Sequence, residues 1–155
     1  MEKIVIVFIN NISLVIYCDP KIFLCTIKDL QLEIIDEKYD AEAFGNFYIT
    51  LAADEFLIQY SNDRGDLYLE IASKYAPSKW HSLSFYKNLI THRRPINSDE
   101  DICDLQNIKQ LNSFLVQEYD LINDLLNRDN YKHTLEKLGA LLKEEFKRKY
   151  PGAVK

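Results

Sequence analysis

Between Phe44 and Ser73 the chain passes through three short segments of period-two alternation separated by polar turns, a pattern that few folds accommodate. Phe47, Ile49 and Leu51 alternate with Tyr48 and Thr50; Phe56, Ile58 and Tyr60 with Leu57 and Gln59; Leu67, Leu69 and Ile71 with Tyr68 and Glu70. Successive side chains of a strand face opposite sides, so each segment predicts a strand with one apolar face. Ala52 to Glu55 and Asn62 to Asp66 carry the residue types of tight turns, so the strands should pair antiparallel as a meander.

The flanking sequence supplies more strands and the helices to cover them. Ile4 to Ile9 and Ile12 to Tyr17 are apolar and rich in β-branched residues around Asn10-Asn11, which predicts a hairpin, with a buried helix as the competing reading. Asp19-Pro20 opens a short helix to about Leu30, and Leu32 to Glu37 reads as a strand followed by a polar connection from Tyr39 to Ala43. Ser82 or Ser84 caps a helix running to about Thr91, with Trp80 just before it as a plug between sheet and helix. Ile108, Leu111, Leu115, Tyr119, Ile122 and Leu126 follow helical steps from a start near Ser98. Tyr131, Leu135, Leu138, Leu142, Phe146 and Tyr150 do the same in a last helix that Asp129 caps. The expectation is one α+β domain spanning residues 1–155, an antiparallel β-meander sheet packed against C-terminal α-helices.

Composition narrows the function classes. A formal net charge of -5 argues against broad nucleic-acid binding and leaves a basic protein partner open. Cys18, Cys25 and Cys103 are odd in number and lack C-x-x-C spacing, so neither a disulfide framework nor a zinc site is expected. A reducing, cytoplasmic setting follows as the simplest expectation, with no cofactor. The apolar run before Asp19 is shorter than the ~20 residues of a spanning helix and is interrupted by Asn10, Asn11 and Ser13, so no membrane segment or signal peptide is expected.

No motif carries a recognisable chemistry. Asp63-Arg64-Gly65-Asp66 brings two carboxylates and a guanidinium to one turn, raw material for acid-base work or for pairing with a partner's carboxylate, yet these are also the residues a tight turn requires. Trp80-His81-Ser82 lacks the glycines of a nucleophile elbow. His92-Arg93-Arg94 is a small basic cluster suited to a helix C-terminus. P-loop, G-x-G-x-x-G and H-E-x-x-H signatures are missing.

The acidic run is the most informative surface. Between Ser98 and Arg128 stand seven acids (Asp99, Glu100, Asp101, Asp104, Glu118, Asp120 and Asp124) against Lys109 and Arg128, whereas Asp129 to Lys155 is net basic. Acids in a first helical turn complement its dipole, and an acidic helix also steers association with a cationic protein.

The strings FGNFYITL, DEFLIQYSNDRGDLYLEIAS and WHSLSF, in that order over about Leu30 to Ile90, resemble a family of small bacterial α+β immunity-type proteins found beside secreted or contact-delivered toxins. The shared pattern is a glycine-asparagine step into a strand, a meander with an Asp-Arg turn, and a Trp-x-x-Leu helix start. The apolar segment before Asp19 departs from it. The resemblance implies a non-enzymatic inhibitor whose partner is a cognate, basic toxin domain, and it carries over no catalytic residue. Asp99, Glu100, Asp101, Asp104, Asp63 and Arg64 are the candidate partner-binding residues. Two alternatives stand beside it: a small enzyme using His81, Asp63 or Arg64 in a pocket between sheet and helices, and a structural or regulatory homo-oligomer joined through the apolar N-terminal segment.

Overall fold

Alternation of apolar residues sets the architecture that a computed structural model shows over residues 5–9, 12–16, 30, 32–40, 42, 46–64, 66–92 and 105–152, with only the backbone described at 5–9, 12–16 and 105–109. Strands β1 (Val5–Ile9) and β2 (Ile12–Ile16) pair antiparallel as a two-stranded sheet of their own, with Ile9 opposite Ile12. The expected hairpin is therefore present. The helix expected from Pro20 lies outside the described residues.

A second sheet runs β3 (Glu33–Asp40), β4 (Asn46–Ala52), β5 (Phe56–Asp63), β6 (Asp66–Ser73) and β7 (His81–Ser82), in that order and antiparallel throughout. Two boundaries differ from expectation. Tyr39 and Asp40 belong to β3 rather than to a connection, because β4 begins early enough to put Phe47 and Asn46 opposite them. The turn after β5 is tighter than Asn62 to Asp66: Asn62 and Asp63 pair with Leu67 and Asp66, so strand pairing runs up to Asp63. Arg64 adopts φ 55°, the left-handed geometry that two-residue hairpin loops demand.

The inner face of this sheet is laid out in cross-strand rows. Leu51, Ile58 and Ile71 form one row, Ile49, Tyr60 and Leu69 the next, and all six are buried. Four helices are described: α1 (Leu83–Thr91), α2 (Leu105–Gln117), α3 (Tyr119–Leu126) and α4 (Tyr131–Lys149). Leu83, Phe85, Tyr86, Leu111, Phe114, Leu115, Ile122, Leu126 and Leu138 from these helices complete the core. An antiparallel meander covered by C-terminal helices is thus the observed fold.

Helix ends show where local chemistry prevailed. Ser82 caps α1, its Oγ accepting from the Ser84 backbone N–H at 3.3 Å. Trp80 is half-buried and outside the core, where Tyr86 is fully enclosed instead. The single helix expected through Leu126 breaks at Glu118, whose φ −107° and ψ 16° leave the helical region. Redirecting α3 aims Tyr119 and Asn123, one turn apart, at the β4–β5 turn, where they accept from the Asp54 and Glu55 backbone N–H groups at 3.3 and 3.1 Å. Tyr119 also packs on the Phe56 ring at 5.5 Å. Asp129 is not the cap of α4: Asn127 Oδ1 accepts from the backbone N–H groups of Asp129 and Asn130, an Asx turn that organises the connection. The apolar stripe of α4 was expected to pack along its length, yet Phe146 and Tyr150 are 51% and 50% exposed.

Candidate functional site

Three elements meet at one end of the five-stranded sheet. Asn46, the first residue of β4, lies opposite Asp40, the last of β3. Its side chain donates through Nδ2 to Asp63 Oδ1 at 3.0 Å and accepts the Arg64 backbone N–H at 2.8 Å. One asparagine therefore holds the Asp63-Arg64 turn against the end of β3. This gathers Asp40, Glu42, Asp63 and Asp66, with Asp36 further along β3 on the face of Asp40, against the cations Lys38 and Arg64.

The arrangement is partly internal in purpose. Asp40 Oδ1 accepts the Glu42 backbone N–H at 3.1 Å, and Asp36 Oδ2 accepts the Tyr48 hydroxyl at 3.1 Å, a bond that raises the Tyr48 pKa above its ordinary value. Arg64 Nε lies 3.8 Å from Asp63 Oδ1 with both side chains well exposed, a pairing worth little in water. Glu37 differs from these. It sits opposite the core residue Ile49, on the face of the edge strand turned away from Asp36 and Asp40, and its Oε2 is shut off from water with no hydrogen-bond donor among the described residues. On the same strand Ile35, at a register shift between Ile34 and Asp36, is 50% exposed, and Tyr39 is 37% exposed.

Charges and a bulge on an edge strand deter stray strand pairing. A deterrent carboxylate would, however, be solvated, and Glu37 Oε2 is not. An acceptor left in that state costs ~1–3 kcal/mol, more when charged.

Of the sequence-nominated residues, Asp63 and Arg64 join this corner, while Asp99, Glu100, Asp101 and Asp104 lie outside the described residues. Among the other acids of that stretch, Asp124 is engaged locally, its Oδ1 accepting from Asn127 Nδ2 at 3.2 Å. His81 does not approach Asp63 or Arg64. It pairs with Ile71, five residues along β6 from Asp66, or ~17 Å at strand spacing. The three groups considered for an enzyme therefore do not converge. Burial, with Lys79 adding to it, lowers the His81 pKa.

Ile35, Glu37, Tyr39 and Asp40 escaped the sequence reading because the bulge breaks the alternation of β3 and its charges resemble a loop. Among the described residues no group of three or more His, Cys, Asp or Glu could hold a metal ion, and no helix is long and apolar enough to cross a membrane. Compared with protein-family models, curated proteins and solved structures, the chain matches none of them.

Proposed function

We propose that this protein is a non-enzymatic binding inhibitor of the immunity type, which neutralises a cognate toxin by direct contact with a basic surface of it. The single observation that carries this reading is Glu37, a carboxylate on the edge strand with one oxygen withheld from water and no donor among the described residues, on the same strand as exposed Ile35 and Tyr39. An arriving Lys or Arg would satisfy that oxygen as apolar contact around it excludes water, the arrangement of an interface hot spot. Asp36, Asp40 and Asp63 on the other face of the same sheet end would speed encounter with a cationic partner. The resemblance over Leu30 to Ile90 supports the choice of toxin as partner, since the block that carries it forms β3 to α1.

The test is co-expression and calorimetry with the product of the neighbouring reading frame. Relief of that product's toxicity, with binding weakened at least about tenfold by Glu37→Gln and by added salt, is the expected result. Charge reversal at Asp101 and Asp104, compared with reversal at Asp40 and Asp63, separates an acidic-helix interface from the sheet corner. Binding that ignores salt and all five substitutions would refute the electrostatic reading.

A further inference from the structure

Helix α4 has an apolar stripe that the described residues cover only in part. At 1.5 Å per residue its 19 residues span ~28 Å, whereas the 8 residues of α3, the helix before it, span ~12 Å. Leu138 is fully buried, but two turns later Phe146 and Tyr150 stand half-exposed with their rings 5.2 Å apart.

Gly139 lies on the same stripe, four residues after Leu135 and three before Leu142. A mid-helix glycine costs ~1 kcal/mol relative to alanine, a cost normally tied to close packing. Here a Cβ would meet nothing within 4 Å. Packing among the described residues supplies no reason for the glycine, which leaves a one-residue notch in the stripe.

We propose that the face of α4 from Gly139 to Tyr150 docks an acidic amphipathic helix of another protein, an apolar side chain of which seats at Gly139. Charge selects this occupant. Helical spacing places Lys143 and Lys147 along one flank of Phe146, while Glu145 is bound to Arg148 at 2.6 Å. A second copy of α4 would bring these lysines together. An anionic lipid surface would match the lysines but has no knob for a notch, and it favours a continuous apolar face. This surface is independent of the acidic corner, so substitution of Glu37 leaves it unchanged.

The test uses the full chain and two fluorescent synthetic helical peptides, each with leucines on one face and either Glu or Lys elsewhere, followed by anisotropy. Gly139→Leu points into open space and Phe146→Ser alters an exposed residue, so both variants keep the wild-type circular dichroism. The Glu peptide binds the wild type, and each variant and added salt weaken it at least about tenfold. Equal binding of both peptides, no binding, or indifference to Gly139→Leu would overturn the proposal. So would cosedimentation with phosphatidylserine vesicles that Gly139→Leu leaves intact, or a dimer in solution that Phe146→Ser dissolves.

Discussion

The contact between Tyr60 and Asn112 offers a sharp test of the interior. Tyr60 from β5 and Asn112 from α2 are 6% and 1% exposed, and the Tyr60 hydroxyl donates to Asn112 Oδ1 at 2.6 Å. Asn112 Nδ2 is buried with no acceptor among the described residues. Tyr60→Phe keeps the ring, and therefore the packing, but leaves both ends of the Asn112 amide without a partner. Losing a hydrogen bond worth ~0.5–1.5 kcal/mol and orphaning its acceptor should together cost about 2 kcal/mol. Tyr60→Phe combined with Asn112→Leu removes the amide as well, exchanging a half-satisfied polar pair for an apolar one of similar size. That double variant should fall within about 1 kcal/mol of the wild type, so the two changes are strongly non-additive. Urea denaturation followed by far-ultraviolet circular dichroism measures this: at a slope of ~1–3 kcal/mol/M, Tyr60→Phe lowers the midpoint by about 1 M and the second substitution restores most of it. A double variant no more stable than Tyr60→Phe would refute the argument, because the orphaned amide would then not be the source of the loss.

Other expectations follow from single contacts. Ser73 is fully buried, its Oγ donating to the Leu126 carbonyl at 2.8 Å, so Ser73→Ala should cost ~1–3 kcal/mol in the same denaturation experiment. Gly139→Ala should instead stabilise by ~0.4–1 kcal/mol, since it restricts the unfolded chain and meets nothing in the folded one. His81 predicts a pH dependence. Its folded pKa lies below the ordinary 6.5, so its contribution is complete above that value and is lost as pH falls through it toward the folded pKa. Thermal midpoints of wild type and His81→Gln should diverge across that window; parallel curves would contradict the assignment.

The legibility of this fold follows burial. Strands β4, β5 and β6 were readable because neighbours on both sides force strict alternation, with Ile49, Leu51, Phe56, Ile58, Leu69 and Ile71 at or below 1% exposure. Edge strand β3 was readable only to Glu37, because a strand paired on one side tolerates charge at nearly every position. The break at Glu118 was hidden because the apolar steps Leu115, Tyr119 and Ile122 continue through it, and hydrogen bonds to Asp54 and Glu55, more than sixty residues away, set the direction of α3.

The same logic explains why the candidate site was found only in part. Asp63 and Arg64 were visible as a motif because they are adjacent. Asp40, Asn46 and Asp63 become neighbours only through the pairing of Asp40 with Asn46 and the reach of Asn46 across 17 residues to Asp63. That reach depends on the loop being two residues long: a longer turn, as first expected, would carry Asp63 past the end of β5 and away from Asn46. The position of the acidic corner is therefore a consequence of strand register. Inserting one residue after Arg64 should detach Asp63 from Asn46 while sparing Glu37 on β3, so it separates the contribution of the turn from that of the edge strand. If the corner binds as a unit, the insertion weakens the basic partner nearly as much as Asp63→Lys does; if Glu37 with Ile35 and Tyr39 suffices, affinity survives the insertion and is lost only with Glu37→Gln.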